Sequence, residues 1–134
     1  MKTVTRCFLL VSFGLLLGSS SCDKKPHYPE NSILGTWLCQ EQGNLYNFRQ
    51  YNVSVDYYGS DSSMLVIYNF YKLGFNVETY ATIQDTVITI LNTSTQNTIS
   101  GTGHVKRDFS AIYWYFNYYG QVDDYDIEAV FLRP

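Results

Sequence analysis

The sequence predicts an all-β domain: an antiparallel meander of about eight strands closing into a small barrel, with a two-sheet β-sandwich as the alternative. Three observations carry this. From Ile33 onward, apolar residues recur with a period of two rather than 3.6. Turn-type clusters interrupt that pattern at spacings of roughly 10 to 14 residues. No segment carries an apolar helical stripe long enough for a βαβ crossover. Composition agrees with a packed β domain. Aromatics make up 17% of the 134 residues and charged residues 16%. The charged share lies below the usual figure of about 25%. A disordered chain would be aromatic-poor and charge-rich, so that class is excluded. Nine Lys and Arg face twelve Asp and Glu, which leaves no basic surface for a nucleic-acid partner.

The elements follow in order. Ile33 to Gln40 alternates around Trp37 and ends before a Gly43-Asn44 turn. Leu45 to Tyr58 is extended, with Tyr46 and Phe48 in one phase and Tyr51, Val53, Val55 and Tyr57 in the other; the change at Arg49-Gln50 predicts a bulge or two short strands. Gly59 to Ser62 is a turn. Ser63 to Tyr71 is apolar on both faces and is followed by a Lys72-Leu73-Gly74 turn. Phe75, Val77, Ala81 and Ile83 alternate with polar residues up to Gln84-Asp85. Thr86 to Leu91 is a further strand, and Asn92 to Asn97 a polar connection. Thr98 to Val105 holds Gly101 and Gly103, which predict a weakened or sharply bent strand. Phe109 to Tyr119 is a long aromatic strand, Gly120 to Asp124 a turn, and Tyr125 to Leu132 the last strand. Eight strands of about eight residues, with short turns, use nearly all of the 102 residues from Ile33 to Pro134. Full closure is the economical solution because it removes exposed edges. Little interior is left over, which favours a surface platform over a deep cup.

The N-terminus has a different character. Lys2 and Arg6 form a basic start, Cys7 to Leu17 an apolar run, and Gly18-Ser19-Ser20-Ser21 a series of small residues before Cys22. The apolar run of about eleven residues is too short to span a bilayer as a permanent helix. Small residues directly before a cysteine resemble the lipobox of bacterial lipoproteins. That resemblance implies a signal peptide over residues 1–21 and an acylated Cys22 carrying chains such as palmitate. It also implies an exported protein anchored in the cell envelope, with the outer membrane the expected location. Each acyl chain contributes about 0.8 kcal/mol per buried CH₂, and more than one chain is needed for stable anchoring. Residues 22–32, with Pro26 and Pro29, then read as a linker, and residues 33–134 as the domain. The processed chain would carry seven basic and twelve acidic side chains, and its aromatic fraction would rise. Cys39 would have no intrachain partner, which predicts a buried strand residue.

Gly35-Thr36-Trp37 at the start of the first strand is similar to the Gly-x-Trp opening of lipocalins and their calycin relatives. Tyr68-Asn69-Phe70-Tyr71, Ile88-Thr89-Ile90, Ile99-Ser100-Gly101-Thr102-Gly103 and Asp126 to Phe131 resemble small lipocalin-like lipoproteins of Bacteroides-type bacteria. The resemblance implies a lipocalin-like barrel facing the periplasm or the cell exterior. It also implies that Trp37 plugs one end of the barrel, with Arg133 packing across it.

No catalytic constellation stands out. His104 is the one histidine of the domain, and Asp108, Ser100 and Ser110 form no convincing set with it. No His or Cys cluster suggests a metal, and no glycine-rich nucleotide loop is present. No cofactor is expected. Asp123, Asp124, Asp126 and Glu128 lack the order of a calcium loop, and alternation puts Asp124, Asp126 and Glu128 together on the solvated face. The strongest hint is Ile112 to Tyr119. One face carries Ile112, Trp114, Phe116 and Tyr118, and the other Tyr113, Tyr115 and Tyr119. A core needs one such face. The function expected is therefore non-catalytic binding of a small apolar or glycan ligand, lined by some of Trp37, Phe48, Phe75, Trp114, Phe116 and Tyr118. The alternative is a protein-interaction or structural component of a cell-surface complex, using Tyr113, Tyr115 and Tyr119 as a platform.

Replacing Cys22 with Ala is expected to move the protein from the membrane to the soluble fraction. Intact-mass measurement should show the loss of the acyl increments at the same time.

Overall fold

A computed structural model describes residues 31–134. Cys22 and residues 1–30 lie outside the described residues. The described chain is a closed barrel of eight antiparallel strands in simple meander order, so the sandwich alternative does not hold. The strands are β1 (Gly35–Gln42), β2 (Arg49–Tyr58), β3 (Asp61–Tyr68), β4 (Glu78–Gln84), β5 (Val87–Thr93), β6 (Thr98–Val105), β7 (Ala111–Tyr119) and β8 (Asp124–Leu132). Closure comes from β1, which pairs with β2 through Trp37↔Val53 and with β8 through Cys39↔Phe131.

The period-two pattern decides what fills the barrel. Trp37 and Cys39 of β1, Val53 and Val55 of β2, Leu65 and Ile67 of β3, Ile88 of β5 and Phe131 of β8 all point inward and are buried. On β7, Ile112, Trp114 and Phe116 are buried while Tyr113 and Tyr115 face solvent. Eight short strands enclose only enough space for their own side chains. Gly101 and Gly103 lie opposite Phe116 and Trp114 on β6, in the inward phase. A Cβ at Gly101 would lie 2.4 Å from the Tyr115 carbonyl oxygen, and one at Gly103 would lie 2.7 Å from the Trp114 ring. These glycines make room for the two buried rings of the facing strand.

The chain departs from the predicted strands in three places. Asn69 to Lys72 is not the end of β3. A short 3-10 turn, Phe70–Lys72, follows Asn69, which has φ +64°. Tyr71 and Lys72 also have positive φ, at 53° and 57°. The Asn69 side chain fastens the turn, donating to the Asn52 carbonyl at 2.8 Å and accepting from the Gly74 amide at 2.8 Å. This folds Phe70 into the end of the barrel, where its ring centroid lies 4.8 Å from Phe116, 5.0 Å from Trp114 and 5.6 Å from Phe131. The second departure is that residues 45–48 and 75–77 are loops rather than strand. Asp124 captures the Asn44 and Leu45 amides at 2.9 and 3.2 Å, and the Val77 amide bonds Gly74 at 3.1 Å. Strand β2 starts in phase with Tyr51, so Phe48 falls outside the barrel at 64% exposure, and Phe75 is likewise outside at 57%. Both rings, expected as possible ligand-lining residues, therefore lie on the surface, and the interior is filled by other side chains.

The third departure is on β8. Asp126 has φ +55°, and the pairing with β7 slips between Phe116 and Tyr118. The slip breaks the expected common face: Asp124 turns inward and is 1% exposed, while Asp126 and Glu128 stay outside.

Changing Gly101 to Ala should destabilise the barrel by about 1–3 kcal/mol through overpacking. Gly59 has φ +60° and open space around it. Alanine there should cost only the left-handed backbone penalty of about 1–2 kcal/mol. Urea denaturation of the two variants, with Gly103→Ala as a third, checks the difference, and it is the Gly103 variant that should also perturb Trp114 fluorescence.

Candidate functional site

The two ends of the barrel differ in chemistry. At one end, where residues 31–34 enter and Arg133 leaves, the guanidinium carbon of Arg133 lies 3.6 Å from the centroid of the Trp37 ring. Arg133 also donates to the carbonyl of Leu34 at 3.0 Å and to that of Ser32. The Trp37 indole N–H donates to the Ile33 carbonyl at 2.9 Å. This end is closed by an aromatic ring with a cation laid over it.

The opposite end, where β1–β2, β3–β4, β5–β6 and β7–β8 connect, is polar. The same alternation that buries Trp37 and Cys39 continues to Glu41, and its register partner on β2 is Arg49. Glu41 is 2% exposed. Its Oε1 accepts from Arg49 Nε at 2.5 Å and its Oε2 from the Tyr51 hydroxyl. Burial pushes the Glu41 carboxyl above its ordinary range, against the opposing pull of Tyr51 and Arg49. Burial also raises the Tyr51 hydroxyl, helped by Cys39 and Glu41, and pushes the Cys39 thiol up to about 12.

Arg49 is held from both faces and along one edge. Its guanidinium carbon sits 4.1 Å from the Tyr46 ring centroid and 4.2 Å from that of Tyr71. Its Nη2 donates to the Tyr71 carbonyl at 2.9 Å. The Tyr71 ring stacks on Tyr118 with centroids 4.2 Å apart, and its hydroxyl donates to Asp124 Oδ2 at 2.9 Å. Burial, followed by the bond to Asp124, raises the Tyr71 hydroxyl. Gly43 leaves the space this needs, since a Cβ there would lie 2.8 Å from Asp124 Oδ2. Above this network is a cleft of about 440 Å³, lined by Leu45, Tyr46, Arg49, Tyr71, Lys72, Leu73, Asn97, Tyr118, Gln121 and Val122. Its size falls within the range of small-ligand sites, about 300–1,000 Å³.

Of the residues singled out from sequence, Trp37, Trp114 and Phe116 are core side chains, and Tyr118 reaches the mouth cleft. Tyr113, Tyr115 and Tyr119 lie outside at 54%, 52% and 37% exposure. The Tyr115 hydroxyl donates to Asp126 at 2.5 Å, and Tyr119 meets Tyr125 edge-on at 5.7 Å. Phe48 and Tyr113 border a shallow surface depression with Gln40, Gln42, Glu128 and Val130. His104 is exposed on β6 opposite Tyr113, and Asp108 is held by Ser110. Among the described residues, no group of three or more His, Cys, Asp or Glu could hold a metal ion. Two buried polar atoms, Thr79 Oγ1 and Trp114 Nε1, have no partner among the described residues.

Sequence reasoning missed Glu41, Arg49, Tyr51, Tyr71 and Asp124. A signal for the first three was present: they lie in the inward phase of otherwise apolar strands. Tyr71 and Asp124 carried none, because a left-handed turn and a slipped pairing put them in place.

Compared with family models, curated proteins and solved structures, the chain has no significant match.

The raised Glu41 carboxyl has a consequence for stability. Unfolding lowers its pKa to an ordinary value of about 4.3. Its contribution is therefore fully present below that pH and is lost as pH rises through the higher folded value. Glu41→Gln removes this proton linkage. Thermal melts of the two proteins should show the parent's stability relative to Glu41→Gln falling as pH rises from about 4 towards neutrality.

Proposed function

We propose that this chain is a non-catalytic envelope lipoprotein of the lipocalin-like kind that binds a small glycan ligand at the mouth of its barrel. The observation that carries this reading is the clamped Arg49, held between two tyrosine rings at the base of a cleft. A cation fixed in this way loses little side-chain entropy on binding, so its hydrogen bonds to a ligand are largely realised as affinity. The mouth combines aromatic faces with the amides of Asn97 and Gln121, a mixture that suits sugar hydroxyls and C–H faces better than an aliphatic ligand. The filled interior argues against an apolar ligand held in a cup. An anchor at Cys22 would join the domain at the Trp37 and Arg133 end. The cleft would then face away from the membrane.

A second reading rests on a separate observation. Phe48, Tyr113, Tyr115, Tyr119 and Tyr125 are all exposed. Such rings on a sheet exterior fit a protein partner in an envelope complex.

Calorimetric titration of the full chain in detergent with a panel of oligosaccharides tests the first reading. Tyr46→Ala and Tyr118→Ala should each weaken binding about tenfold, equivalent to about 1.4 kcal/mol. Tyr113→Ala and Tyr115→Ala should leave it unchanged. Saccharide binding lost only with the Tyr113 or Tyr115 change would move the site to the outer face. Co-purification of a defined partner that depends on those two tyrosines would support the second reading.

A further inference from the structure

We propose that the mouth cleft selects an acidic sugar, with the ligand's carboxylate on Arg49 and its ring against the neighbouring tyrosines. This rests on the reading that the mouth binds a glycan, and it adds the charge of that glycan.

The first argument is the hydrogen-bond inventory of Arg49. A guanidinium has five N–H donors. Nε is taken by Glu41 and Nη2 reaches the Tyr71 carbonyl. Nη1 donates to none of the described residues, and Arg49 is part of the cleft lining. The contact with Glu41 is made through Nε, so the edge that carries Nη1 remains for a second carboxylate. Guanidinium and carboxylate match in geometry, which makes arginine the common choice for planar recognition of this kind.

The second argument is the vertical order of charge. The whole chain has a net charge of −3, yet the cleft lining holds Arg49 and Lys72 and no carboxylate. Two acids that bond lining residues, Glu41 and Asp124, are sealed beneath the cleft, while Asp123, next to Val122, is exposed and accepts from the Gly120 amide and the Tyr125 hydroxyl. Glu41 is occupied by Arg49 and Tyr51, and Asp124 by Tyr71 and the Asn44 and Leu45 amides. Their charge holds the arginine in place from below, while the cationic groups face the opening. A neutral sugar would use the rings and amides alone, whereas an acidic one uses the whole lining.

The third argument is backbone strain. Asn69, Tyr71 and Lys72 all have left-handed φ without being glycine. Each such residue costs on the order of 1–3 kcal/mol. This strained turn places both the Tyr71 carbonyl on Arg49 and Lys72 on the rim.

The test uses the full chain in detergent and three probes: digalacturonate, its methyl ester, and benzoate. Digalacturonate should bind at least about tenfold more tightly than the ester, and the difference should shrink as salt rises. Arg49→Met alone would leave Glu41 buried without its partner, so it is paired with Glu41→Gln. The double variant should lose most of the preference for the acid, keeping only the several-fold share that Lys72 supplies. Lys72→Met, on the exposed rim, should lower the affinity for the acid several-fold and that for the ester by less. Equal binding of acid and ester by the parent would overturn the acidic-sugar proposal and leave the glycan reading standing. Benzoate binding as tightly as digalacturonate would overturn it by removing the sugar from the recognition. Binding of neither saccharide would overturn both.

Discussion

A closed barrel of eight strands must fill its own centre, and the insertion of Phe70 among Trp114, Phe116 and Phe131 is the contact on which the rest of this structure depends. The strands alone supply rings from β7 and β8, and the glycines of β6 give those rings space. The remaining volume at the polar end is filled from a connection rather than from a strand. To reach it the chain turns sharply after β3, through left-handed residues that would be unfavourable in isolation. Burying a phenylalanine contributes about 1.5–3 kcal/mol, enough to offset much of that strain. Once Phe70 is inside, its neighbour Tyr71 has to lie across the mouth. From there it stacks on Tyr118, covers Arg49 and reaches Asp124.

Both ends of the barrel therefore use a guanidinium against aromatic rings, with different results. Arg133 over Trp37 is tied to the carbonyls of Ser32 and Leu34, so it fastens the first described residues to the last strand. Arg49 is compensated by a buried carboxylate and framed by the buried rings of Tyr51 and Tyr71 and the exposed ring of Tyr46. One end is a fastening and the other a prepared surface. A buried ion pair such as Glu41–Arg49 adds little net stability, because desolvation offsets its Coulombic attraction. Its retention at the base of a cleft is more readily understood as positioning.

The strand pattern was legible because period-two alternation responds directly to the inside and outside of the barrel wall. Ile112 to Tyr118 shows this well, with the indole and phenyl rings inward and Tyr113 and Tyr115 outward. The two glycines of β6 were legible as a departure from regular strand, but their reason lay in rings contributed by the next strand. The site was less legible. Phe48 looked like a pocket residue because a strand was extended back through the β1–β2 loop, and a side chain of Asp124, some eighty positions away, ended that strand. Asp124 in turn looked solvated, because a one-residue slip at Asp126 reverses which way it points. Local patterns carry the wall of this barrel. The lining of its mouth is determined by long-range capture of loop amides and by the volume that Phe70 has to fill.

Cys39 lies on β1, the strand that holds both closing seams, with its side chain in the sealed interior. Its thiol, with a pKa near 12, stays protonated and beyond the reach of disulfide exchange while the barrel is shut. The same atom becomes an ordinary reactive thiol as soon as β1 parts from β2 or β8. The fold thus contains its own integrity gauge. The rate at which an alkylating reagent marks this sulfur counts the openings of the seam, and a single fixed modification there would keep the barrel from closing again.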